Sequence, residues 1–145
     1  MSVDRVQRAG VIVELRKRAV DVAQSESADA ERRLREADDA AQRAVAAWAE
    51  AIRVNGGVRA SSAELAELNA WQRTLRLRAD RALAQVGVAR AVAERTRAAL
   101  VAAQAELRKI EVWRDGLAAD AREATQRVER RAADELAART VRRSA

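Results

Sequence analysis

Apolar side chains recur through the second half of the chain in alternating steps of three and four. The line runs Leu65, Leu68, Gln72, Leu75, Ala79, Ala82, Val86, Ala89, Ala93, Thr96, Leu100, Ala103, Leu107, Ile110, Arg114, Leu117, Ala121, Ala124 and Val128. Only Gln72, Thr96 and Arg114 are neither Ala nor aliphatic. An a/d heptad pattern held for about nine repeats predicts a coiled-coil helix rather than a globular core. At about 1.5 Å per residue it predicts a rod on the order of 95 Å long. A chain laid out this way suits reaching, tethering or transmitting better than enclosing a substrate.

The first segment, about residues 3–53, carries a shorter seam. Ile12, Leu15, Ala19 and Val22 begin it, and Ala30, Leu34, Ala37, Ala41, Val45, Trp48 and Ile52 continue it. The two stretches differ in phase around Ser25–Asp29, where Glu26 falls on the line, so a stutter is expected there. Acid-to-arginine pairs four residues apart are expected to support this helix by a few tenths of a kcal/mol each. They are Asp4–Arg8, Glu14–Arg18, Asp29–Arg33, Glu31–Arg35 and Asp39–Arg43.

Asn55-Gly56-Gly57 is the strong break, suited to a helix C-cap and a change of direction. Ser61-Ser62-Ala63-Glu64 reads as a capping box, with Ser61 at the N-cap and Glu64 reaching back. A second helix then runs over about 62–140, with Gly87 and Gly116 as soft points inside it. The expected fold is all-α: a single domain over residues 1–145, built as an antiparallel two-helix coiled-coil hairpin. Its loop spans about 54–61 and its C-terminal helix is the longer and overhangs. If the turn centres near Gly57, residue i lies opposite about 115 − i. Trp48 then faces about Glu67, and everything after about Arg114 overhangs. Past Val128 the next seam positions are Arg131 and Glu135, and the tail is rich in arginine.

Composition narrows the chemistry. The chain has no Pro, Cys or His, so nothing breaks a helix outright and no thiol, imidazole or Cys-type zinc site is available. No phosphate-binding glycine motif is present. No apolar run approaches membrane-spanning length, and Met1–Leu15 lacks the apolar centre of a signal peptide. A soluble, cytoplasmic, non-enzymatic protein without cofactor or metal is expected. Charge is uneven: Met1–Arg53 has ten basic and ten acidic residues, whereas Arg73–Arg114 has ten basic and four acidic. That excess fits an acidic partner surface, nucleic acid, or a solvated arginine-rich face.

The three aromatic residues are Trp48, Trp71 and Trp113. Trp48 falls on the first seam, and Trp71 and Trp113 share a flanking position beside the second. An alanine-rich seam is too narrow to hide an indole. Trp71 is therefore expected as a partly exposed binding anchor near the hairpin tip, close to Trp48. Trp113 is expected to cover the far end of the seam.

Three stretches resemble one protein family. Leu15 to Arg18 gives a Leu-x-x-Arg start to a long Ala/Glu/Arg helix. Leu68-Asn-Ala-Trp71-Gln-Arg-Thr-Leu75 is similar to that family's polar-aromatic-x-x-x-Leu stretch. Val128-Glu-Arg-Arg-Ala-Ala-Asp134-Glu135-Leu136-Ala137 resembles its basic, then Asp-Glu-hydrophobic-Ala, ending. The resemblance, over nearly the whole chain, is to the FliJ/YscO (SctO) family of stalk proteins in flagellar and type III secretion export. It implies a coiled coil entering the hexameric export ATPase, a surface patch meeting the export gate's cytoplasmic domain, and handling of export chaperones. It also implies a place at the cytoplasmic face of a membrane-embedded secretion apparatus. Carried over by position, Trp71 and Leu75, with Trp48 nearby, become the gate contact. Arg130, Arg131, Asp134 and Glu135 become the ATPase contact. Two other readings stay open on the residues alone: a homodimeric coiled-coil spacer and a basic nucleic-acid-associated rod, the latter marked by steep salt dependence.

Overall fold

A computed structural model describes residues 2–57 and 59–144. They form two helices, α1 (Ser2–Asn55) and α2 (Ser62–Ser144). The helices pack against each other as an all-α hairpin, and no strand occurs among the described residues. α2 begins where the sequence signals it. Ser61 Oγ accepts from the Glu64 N–H at 3.3 Å and the Ser61 carbonyl accepts from Leu65 N–H at 2.9 Å. A hydroxyl in that place satisfies one of the donors a helix start leaves free, while the return bond from the Glu64 carboxylate is not among the hydrogen bonds of the described residues.

α1 ends at the expected break. Gly56 N–H donates to the Ile52 carbonyl at 3.1 Å and Gly57 N–H to that of Val54 at 3.5 Å. Among the described residues no glycine has a positive φ. The helix thus closes on a right-handed turn rather than on the left-handed cap that two glycines invite.

On α2 the seam follows its sequence pattern through the middle. Every a/d position from Leu68 to Ala121 is buried or half-buried, with Leu75, Ala79, Val86 and Ala93 the most enclosed. The pattern fails at both ends. Leu65 is 43% exposed and Val128 is 67% exposed. Ser62–Glu67 are exposed throughout, as is everything from Arg122 to Ser144.

On α1 the observed seam is Val6, Ala9, Val13, Val20, Ala23, Ser27, Ala30, Leu34, Ala37, Ala41, Ala44, Trp48, Ala51 and Asn55. Its steps of three and four are continuous, with exposed Arg16 filling the one gap. The expected stutter at Ser25–Asp29 is therefore absent. Leu15 and Val22, which set the wrong phase, are 56% and 58% exposed. Ala19 is exposed as well, its place on the seam taken by Val20, and Ile12 is half-buried beside Val13. Ala9 and Ala23 suit the seam because small residues allow two helices to approach closely. Val45 and Ile52 yield likewise to Ala44 and Ala51. Among the described residues, buried Ser27 is the one polar residue in the core.

The chain divides into two compact parts: Val22–Leu100, and Met1–Asp21 with Val101–Ala145. In the first, Arg97 pairs with Glu31 and Arg76 lies over Trp48. These contacts place residue i opposite about 124–128 minus i, not 115 minus i. The offset arises because the first turns of α2 extend past the end of α1 without packing. In the second part, Leu117 and Ala121 are still half-buried. The overhang accordingly begins near Arg122 rather than Arg114.

Candidate partner-binding surfaces

Surface charge is organised differently from the simple four-residue ladder. None of the five expected α1 pairs is among the ion pairs of the described residues. Glu14 meets Lys17 and Asp29 meets Arg32, both three residues on, and Glu31 reaches across to Arg97 at 2.6 Å. At the end of α1, Arg53 donates to both carboxylate oxygens of Glu50, at 3.0 and 2.6 Å. That fork holds the Glu50 carboxyl below its ordinary range and raises Arg53.

Near the hairpin tip the two indoles lie on different faces. Trp48 is half-buried on α1, with the Arg76 guanidinium 5.8 Å from its ring centre. With Ile52 it forms one wall of an open groove of about 550 Å³. Ala66, Asn69, Gln72, Arg73 and Arg76 of α2 form the other wall. Trp71 is 48% exposed, with Arg78 over its ring at 5.5 Å. Two residues of helix turn through about 200°, so Trp71 sits across the seam from groove-lining Arg73. Leu75 is 8% exposed and belongs to the seam beneath. The tip thus offers an arginine-lined groove holding Trp48 on one side and a single arginine-stacked indole, Trp71, on the other. Each exposed cation–π contact of this kind contributes about 0.5–1 kcal/mol.

Sequence reasoning missed both arginines. Trp71 and Arg78, seven residues apart on one helix, could have been found from spacing. Arg76 over Trp48 could not, because it depends on the inter-helix register. Trp113, at 46% exposed, is open to solvent rather than folded over the seam.

Arg130, Arg131, Asp134 and Glu135 stand together on the overhang, all exposed. Among the described residues the overhang's ion pair is Arg127–Glu123 at 2.6 Å, and these four are in none. Arg131 and Glu135 continue the a/d line; Arg130 and Asp134 flank it.

Among the described residues no group of three or more acidic side chains could hold a metal ion, and no helix is long and apolar enough to cross a membrane. The arrangement leaves grooves, arginine-stacked indoles and an uncovered stretch of helix open at the surface. No curated protein and no solved structure matches the chain. A family model described as the flagellar FliJ protein matches residues 8–145, taking in nearly all of both helices, and the chain belongs to that family.

Proposed function

We propose that the chain is the non-enzymatic stalk of a flagellar or type III export ATPase complex. It links the ATPase ring to the cytoplasmic domain of the export gate and assists the handling of export chaperones. Its place is in the cytoplasm, against the membrane-embedded apparatus. The match to the FliJ family over residues 8–145 carries the reading. The hairpin supports it, because α2 continues past its intramolecular partner as an exposed helix that a second protein can cover. In this reading Arg130, Arg131, Asp134 and Glu135 face the ATPase, and Trp71 is the gate-side anchor. Leu75 holds the seam under Trp71, and Trp48 lines the groove on the opposite face.

The test is paired binding and melting. Removing residues 122–145 should abolish binding to the hexameric export ATPase and leave the melting of the hairpin nearly unchanged. Trp71→Ala should weaken binding to the gate's cytoplasmic domain by about 2 kcal/mol, the usual loss at an aromatic anchor. Its melting should stay near that of the parent. Unchanged affinity for both partners would overturn the proposal.

A further inference from the structure

The overhang carries a seam with nothing on it. Leu117 and Ala121 are the last half-buried positions. The a/d line then continues through Ala124, Val128, Arg131, Glu135, Ala138 and Arg142, every one exposed. Val128, at 67% exposed, shows how open this face is. A single helix of this length without packing is marginal in water, so the face is built for a helical partner.

The order of charges on the line selects that partner. Charged residues at seam positions fix register and orientation through what they meet. In a parallel pair, Arg131 would meet Arg131 and Glu135 would meet Glu135. In an antiparallel pair centred near residue 133, Arg131 meets Glu135 and Glu135 meets Arg131. The same register sets Val128 against Ala138 and Ala124 against the aliphatic stem of Arg142. The arrangement is self-complementary, as a two-fold interface requires.

We infer that the overhang of the free protein pairs antiparallel with the overhang of a second copy, prolonging the seam of the hairpin between molecules. The pairing is weak. Its apolar contacts are mostly alanine, and Asp134, flanking the line at the centre, meets its own counterpart across the axis. The inference stands apart from the export reading, because it needs only this chain.

Charge reversal tests it on the full-length protein by sedimentation across a concentration series. The parent should pass from monomer to dimer as concentration rises. Arg131→Glu and Glu135→Arg, each placing like charges together, should associate at least about tenfold more weakly. The double variant Arg131→Glu/Glu135→Arg restores opposite charges across the axis and should regain the parent's association. Asp134→Asn should tighten it. A monomer at every concentration would overturn the inference, as would a double variant no better than either single one. Far-ultraviolet circular dichroism checks that the hairpin stays helical in each. Affinity for the export ATPase is read separately. A double variant that self-associates but no longer binds the ATPase keeps this inference. If the parent self-associates yet binds no ATPase, the export reading falls and the two-fold pairing stands.

Discussion

Between Leu68 and Ala121 every a/d position of α2 is buried or half-buried, whereas from Arg122 to Ser144 every residue is exposed. The two stretches share their composition, alanine and arginine with scattered acids, and both are helical. Propensity therefore does not separate them. What separates them is the length of α1, which leaves nothing to cover the last turns of α2. A helix is legible from composition, but its partner is legible only from the residues on its seam. In the sheltered stretch those are chiefly aliphatic. In the overhang they include Arg131, Glu135 and Arg142, all exposed.

The largest effect should come from neighbouring leucines on the two sides of α2. Leu75→Ala should cost about 2–3 kcal/mol in thermal or urea unfolding. Leu77→Ala, at a site 56% exposed, should stay within about 0.5 kcal/mol. Equal costs would mean that the seam is misplaced. On α1, Val13→Ala should cost about 2 kcal/mol for a fully buried side chain, against almost nothing for Leu15→Ala. The reverse order would restore the stutter.

Smaller gains are expected from the helix-interior glycines. A methyl group at Gly87 or Gly116 would meet nothing within 4 Å. Alanine at either should raise stability by about 0.5–1 kcal/mol, and a loss would reveal a backbone need that the packing does not show. The Arg97–Glu31 pair, with side chains 71% and 38% exposed, should give a double-mutant coupling of only about 0.2–1 kcal/mol, falling with salt. The smallest effect is at Glu50. Its carboxyl is lowered in the folded state by the Arg53 hydrogen bonds. The fork's contribution is therefore present above the ordinary carboxylate range and fades as pH falls through the lowered value. Carbon-detected titration of Glu50 should show a midpoint below that of unpaired glutamates, and Arg53→Ala should return it to normal.

Much of the hairpin was legible. The break at Asn55-Gly56-Gly57, the Ser61 cap and the seam from Leu68 to Ala121 all follow from short-range pattern. The phase of α1 was not, because Leu15 and Val22 outweigh Ala9 and Ala23 on any hydrophobicity scale. The interface takes the smaller residues there, since close approach of two backbones favours small side chains over large ones. Helix-to-helix register differs from the sequence expectation by about ten residues, since burial on α2 begins at Leu68 and not at its first turn. That shift moves the overhang from Arg114 to Arg122 and puts Arg76, not Glu67, across from Trp48. The exposed indole of Trp71 was readable from its flanking heptad position. Its separation from the Trp48 groove needed the three-dimensional register.

Amide hydrogen exchange along α2 tests the central claim most directly: one continuous helix with a sheltered seam and an uncovered end. At protein concentrations low enough to keep the chain monomeric, protection should be high from Leu75 through about Leu117. It should then fall steeply near Arg122 and stay low to Ser144, because unpacked helix opens at little cost. Adding the export ATPase should slow exchange beyond Arg122 and leave the interior unchanged. Uniform protection from Leu75 to Ser144 in the free monomer would contradict the account.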